Sequence, residues 1–272
     1  MTTQDAAVTE ATPRNRTAAF GGGAIIGALG GLIGLGGAEF RLPLLIGAFR
    51  FGALEAVILN KAMSLVVVST ALPFRAQAVP WNEVLGHWQV ILNLLAGSLA
   101  GAWVGASWAT RTHPRTLYRV LAALLVAIAV VLLFGHSAAH RDALHVTGIA
   151  RVVLGVFAGF GIGMVAALMG VAGGELLIPT LLLLYGIDIK LAGSLSLAVS
   201  LPTMLMGFAR YSRDSSFAVL RYHRAFLIFM ALGSIVGTFI GARLVGAISS
   251  AVLLPALAAI LVVSALKVWQ HR

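Results

Sequence analysis

The chain has 272 residues, 60% of them hydrophobic and only 10% charged, with a mean hydropathy of +0.98. A soluble domain averages about 45–50% apolar and about 25% charged residues, so this chain has too few charges to cover a water-facing surface and reads as an integral membrane protein. Its 19 Lys and Arg against 9 Asp and Glu, a net charge of +10, report membrane topology before any acidic partner, which disfavours nucleic-acid binding. The absence of cysteine excludes disulfide frameworks, thiolate metal sites and thiol catalysis.

Residues 1–17 are polar and lack the pattern of a cleaved signal, so they are expected to stay as a disordered cytoplasmic tail, with Arg14 and Arg16 just before the first span. The apolar stretches that follow could fill roughly eight to ten crossings at about 20 residues each, leaving room only for short connectors. In chain order the predicted segments are 18–36, a short one at 40–51, then 53–73, 84–108 and 116–135. A linker at 136–147 follows, and then come 149–171, a short one at 176–187, 190–209, 225–246 and 250–268. The short members, at about 12 residues, reach roughly 18 Å. That does not cross a hydrocarbon core of about 30 Å, so they are expected to be half-helices or re-entrant arms.

Sliding the sequence along itself by half its length, 136 residues, superposes the two halves without a gap. Gly23 falls on Gly159, Gly37 on Gly173, Glu39 on Glu175, Pro43 on Pro179 and Ser64 on Ser200, while Gly97, Gly101 and Gly105 meet Gly233, Gly237 and Gly241. The expected organisation is a membrane repeat over 18–135 and a second over 148–272. Arg111, Arg115 and Arg119 crowd the fourth connector of the first half, whereas Arg210, Arg213, Arg221 and Arg224 crowd the third connector of the second. If positive connectors face the cytoplasm, equivalent loops lie on opposite sides, which is an all-α, inverted-topology repeat. Both termini then lie in the cytoplasm and the 136–147 linker outside.

The segments Gly34-Leu-Gly-Gly-Ala-Glu-Phe-Arg-Leu-Pro43 and Gly170-Val-Ala-Gly-Gly-Glu-Leu-Leu-Ile-Pro179 read as broken helices that restart near Glu39 and Glu175, with the proline in the first turn. Unwound backbone at membrane depth is tolerated only where protein or a water-filled cavity surrounds it. The restarting helix aims its unbonded N–H groups and positive dipole end at that cavity, which favours an anion. The GxxxG run at Gly97, Gly101 and Gly105 is better explained by close helix packing. Gly161-Ile-Gly-Met-Val-Ala166 only loosely fits a dinucleotide fingerprint and lacks a preceding strand.

The paired turns, each followed by Pro-x-Leu and a Ser-rich helix, make the chain resemble the sulfite exporter TauE/SafE family of membrane permeases over nearly its whole length. The resemblance implies transport of small sulfur-containing anions such as sulfite, sulfoacetate or thiosulfate across the cell membrane, coupled to a gradient of protons or another cation. It implies no cofactor and no enzymatic activity.

Lys61 interrupts the third apolar segment, and a lysine inside a span is a functional candidate by default. Its two readings are a ligand for the anion and a structural partner of Glu39. Ser64 shares its face, while Asn60 points about 100° away. The equivalent second-half positions are Leu197, Ser200 and Ser196, with Ser194 one turn before Leu197. The expected substrate-binding set is therefore Gly36, Gly37, Asn60, Lys61, Ser64, Gly173, Gly174, Ser194, Ser196 and Ser200. Arg41 is expected to snorkel or to pair locally with Glu39. Glu39 and Glu175 either stabilise the helix starts or carry a coupling proton. His136, His140 and His145 lack a carboxylate or thiolate to complete a metal site and read as loop histidines.

A secondary transporter is the leading function and an anion channel the alternative. An intramembrane enzyme would need an HExxH or a Ser and His pair within the spans, and neither is present. The bilayer and the anion are the expected partners, with a homo-oligomer left open.

Overall fold

The computed structural model describes residues 16–33, 37–75, 79–138, 146–244 and 250–270. Most of the expected tail (1–15) and linker (139–145), the loop histidines His140 and His145, and Gly36 lie outside those residues, as does the side chain of His136, while residues 16–17 and 136–138 of the expected tail and linker are helical. The described chain is all helical: α1 Arg16–Ile33, α2 Ala38–Gly47, α3 Ala53–Arg75, α4 Trp81–Gly86, α5 Trp88–Arg111, α6 Pro114–Ala138, α7 Gly148–Met169, α8 Gly174–Tyr185, α9 Ile189–Tyr211, α10 Val219–Tyr222, α11 Arg224–Leu244 and α12 Ser250–Gln270. In an apolar medium every backbone N–H and C=O needs a partner within the chain, and helix provides it without help from neighbours.

Four described helices are long and apolar enough to cross a membrane: α5, α7, α9 and the Pro114–Val131 part of α6. A fifth span results if Ser215–Tyr222 and Arg224–Ile240, bent by 72° at His223, count as one. The side chains of α1, α3 and α12 are described only in part, and these helices of 18, 23 and 21 residues stand outside that count. The short elements α4 and α10, each directly before a long helix with a histidine at the joint, interrupt the apolar pattern and escaped the sequence reading.

Large apolar side chains point outward, including Ile149, Val152 and Phe157 on α7 and Leu232, Val236 and Phe239 on α11, while Glu39, Arg41, Asn60, Lys61 and several serines are buried. This inverts the arrangement of a water-soluble protein and fits a lipid surround.

The closest packing pairs α1 with α11 and α5 with α7, and α6 lies against α12. Glycine permits the first two approaches. A Cβ at Gly23 or Gly27 would collide with the carbonyls of Met230 and Ser234, and one at Gly233 or Gly237 with those of Phe20 and Ala24. In the other pair, Gly159 and Gly163 abut the carbonyls of Leu94 and Ser98, and Gly97 and Gly101 those of Val156 and Phe160. Each contact of the first pair returns in the second at an offset of 136 with the halves exchanged. Some further contacts exchange likewise: α2 touches α12 while α8 touches α6, and α3 and α9 pack on each other, whereas the contacts of α7 with α3 and α9 have no such counterpart among those of α1.

Candidate functional site

The site is built where helices break. α7 stops at Met169 because Gly170 takes a left-handed conformation, φ 70°. The amides of Gly170 and Val171 then fold back onto the carbonyls of Ala167 and Ala166, at 3.3 and 3.1 Å, a Schellman closure. A side chain at Gly170 would also strike the carbonyl of Val57 on α3. The chain restarts at Gly173, φ 81°, whose carbonyl receives the amides of Leu176 and Leu177. Gly37, φ 70°, starts α2 in the same way, receiving the amides of Phe40 and Arg41. Neither starting residue has a side chain to cap the helix.

The helices α2 and α8 have 10 and 12 residues, about half of what a crossing needs. They begin earlier than expected, so Pro43 and Pro179 lie in the second turn and not the first. There the missing N–H withholds a hydrogen bond from the carbonyl four residues back, which belongs to Glu39 in one helix and Glu175 in the other.

Lys61 is fully buried, and its ammonium donates to the carbonyl of Ala166, 3.1 Å away at the end of α7. No carboxylate partner of Lys61 occurs among the described residues, so the pair with Glu39, one of its two readings, is not seen there. Asn60 donates from its amide nitrogen to Ala38 O at 2.9 Å and Met169 O at 3.0 Å. One side chain of α3 therefore ties the start of α2 to the end of α7. Tyr211, absent from the sequence expectations, donates to Ala167 O at 3.0 Å. The negative end of α7 is thus held by a cation, an amide and a phenol from α3 and α9.

Arg41 does not snorkel. Its side chain is completely buried, and its electrostatic partner is Glu39. Glu39 and Glu175 lie in the first turns of α2 and α8, near enough for their carboxyl groups to interact electrostatically. Glu39 and Glu175 are only 3% and 6% exposed.

Ser64, Ser194 and Ser200 are buried, and their hydroxyls have no protein partner. Ser196 donates to Gly193 O at 2.9 Å. Gly174 is the first residue of α8. Ser98 and Thr203, also missed, share a hydrogen bond of 2.7 Å between α5 and α9. The structure thus gathers cations, hydroxyls and two helix starts on elements that pack together in the interior. Among the described residues no cluster of His, Asp and Glu could hold a metal.

The family model of the sulfite exporter TauE/SafE matches residues 11–268. The chain belongs to this family. Its members are membrane transporters of sulfur anions and not enzymes, which makes this chain a multi-pass membrane transporter. Comparison with curated proteins and with solved structures finds no match.

Proposed function

We propose that this protein is a secondary transporter that carries sulfite, sulfoacetate, thiosulfate or a similar small sulfur anion across the cytoplasmic membrane, driven by an ion gradient. The observation that carries this reading is the completely buried Lys61, whose ammonium meets only the neutral carbonyl of Ala166 among the described residues, with Arg41, which interacts with Glu39, buried at the start of α2. A buried cation is costly unless something negative meets it. The unpartnered hydroxyls of Ser64, Ser194 and Ser200 supply neutral donors of the kind an oxyanion accepts. In this reading Gly37, Gly173 and Gly174 let the anion approach backbone amides. Asn60 has both amide hydrogens committed to carbonyls and acts by holding the two breaks in register.

The fold divides in this proposal into two repeats of opposite orientation, 18–135 and 148–272. The exchange of contacts at one offset supports it, because a two-fold relation maps each interface onto its partner. Flux measured in proteoliposomes across a panel of sulfite, sulfoacetate and thiosulfate tests the function. Saturable uptake that is accelerated by the same anion on the far side is expected. Unsaturable flux without such counterflow would identify a channel instead.

A further inference from the structure

The ends of α5 and α9 bring arginines together at one corner of the molecule. Arg210, half-buried in the last turn of α9, donates from Nε to Ser107 Oγ at 2.7 Å and from Nη2 to Thr110 Oγ1 at 3.4 Å on α5. Its guanidinium carbon lies 5.9 Å from the centre of the Trp103 ring, and that of the exposed Arg213 lies 5.1 Å from the same centre. Two guanidinium groups thus converge on one indole at cation–π range. Trp103, Ser107 and Thr110 follow at spacings of four and three, so they share a face of α5. Arg111, four residues beyond Ser107, closes the same face in the last turn of the helix.

Membrane topology does not require this geometry. The charge bias of insertion acts on arginines that hang free in water, whereas here like charges are held side by side against their mutual repulsion. Among the described residues no carboxylate forms an ion pair with Arg111, Arg210 or Arg213. The adjacent acid, Asp214, uses Oδ1 to accept the amide of Ser216 at 2.9 Å. In the sequence, the offset of 136 sets Phe239 against Trp103, and Phe74 and Gln77 against Arg210 and Arg213, so the paired arginines belong to one half alone. Beside them the same two helices turn apolar side chains outward: Val104 and Trp108 on α5, 43% and 40% exposed, and Leu205 on α9, 52% exposed. Val104, Trp108 and Arg111 succeed one another on one side of α5. Aliphatic, indole and cation is also the order met on leaving the bilayer core for the headgroups.

We propose that this corner is a binding site for an anionic phospholipid, with Arg111, Arg210 and Arg213 around the headgroup phosphate and the acyl chains along Val104, Trp108 and Leu205. A guanidinium presents planar, paired N–H donors that match phosphate oxygens. Ser107 and Thr110 fix the orientation of Arg210 before the lipid arrives, which lowers the ordering cost of binding. The outward apolar strip beside the cations selects a lipid over a soluble phosphate. A lipid held there touches both helices and strengthens the contact between α5 and α9. The site is independent of which anion the protein carries.

Native mass spectrometry of the purified full chain tests the site, with phosphatidylglycerol and phosphatidylcholine of identical acyl chains offered in equal amounts. The wild type is expected to retain phosphatidylglycerol preferentially, and Arg210→Gln combined with Arg213→Gln should reduce that preference about tenfold. Absence of the preference in the wild type overturns the proposal. Arg221→Gln combined with Arg224→Gln removes as much charge from exposed positions further along the same connector and should leave the preference intact. An equal loss there would reduce the effect to the general positive field of that face and refute a site. Excess inorganic phosphate should leave the lipid bound, and displacement by phosphate would overturn the lipid assignment in favour of a soluble anion. Arg213 is exposed and its side chain makes no hydrogen bond among the described residues, so Arg213→Gln alone keeps the α5–α9 contact and decides the matter if the paired variant does not fold. An unchanged preference in that folded single variant refutes the proposal.

Discussion

Lys61 makes a single hydrogen bond to a carbonyl in a fully buried setting. Its head sits against Gly207, where an added Cβ would lie 3.2 Å from Nζ, so the glycine leaves room for the ammonium. Taking a charge out of water costs several kcal/mol, which one bond to a neutral carbonyl, at about 1.5–3 kcal/mol, does not fully offset. Lys61→Met is therefore expected to melt no lower than the wild type while anion affinity falls, as read by thermal denaturation and ligand binding on the same preparation. A lower melting temperature with unchanged affinity would make the ammonium a helix cap and nothing more. Arg41 invites a different substitution, because lysine keeps its charge and loses the planar fork that matches an oxyanion. Arg41→Lys should weaken anion binding by about tenfold or more, roughly 1.4 kcal/mol. Equal affinity by isothermal titration would leave Arg41 with the structural role of meeting Glu39.

At the scale of elements, two kinds of glycine have different tasks. Gly173 holds a left-handed conformation at φ 81°, which costs a residue with a Cβ about 1–2 kcal/mol, and such a Cβ would lie 3.2 and 3.3 Å from Ile162 and Ala166. Gly101 is a crossing glycine with the Phe160 carbonyl in the place of any side chain. Gly161, on the same α7 helix as the Phe160 carbonyl, has open space beside it. The expected order for single alanine substitutions is a folded, active protein at Gly161, a folded protein with impaired transport at Gly173, and loss of the folded protein at Gly101. Size-exclusion profiles and flux together check that order, and full transport by Gly173→Ala would reduce the break to a packing feature. These breaks were legible in the sequence because Gly, Glu and Pro recur in them at one offset. The partners of the side chains were not. Lys61 meets a carbonyl 105 residues away, and nothing in its local sequence announces that. Arg41 looked like a residue able to reach the interface, since local pattern alone does not reveal that α2 is packed in by α1, α3 and α12. The bend at α10 escaped for a related reason: four helical residues are too few to produce a periodic signal.

For the whole molecule the open matter is orientation, and contacts between distant parts of the chain bear on it. Arg210 at the end of α9 donates to Ser107 Oγ at 2.7 Å and Thr110 Oγ1 at 3.4 Å near the end of α5. Arg210 and Arg213 both lie over the Trp103 ring. The positive third connector of the second half is thus beside the positive fourth connector of the first. Arg16 at the start of α1 lies over Phe229 near the start of α11, and Arg119 lies over Trp269 at the end of α12, so the first and last described helices have their outer ends on that same face. A face with Arg16, Arg111, Arg115, Arg119, Arg210, Arg213, Arg221, Arg224 and Lys267 is expected to stay in the cytoplasm under the charge bias of membrane insertion. The chain has no cysteine, so single cysteines can be placed without background. An impermeant maleimide added to intact cells is expected to label a cysteine at His140 and to leave cysteines at Arg115 and Ser215 unlabelled until the membrane is permeabilised. Labelling of His140 and Arg115 to the same extent in intact cells would place both connectors on one side, and two repeats of opposite orientation could not then be threaded through this packing.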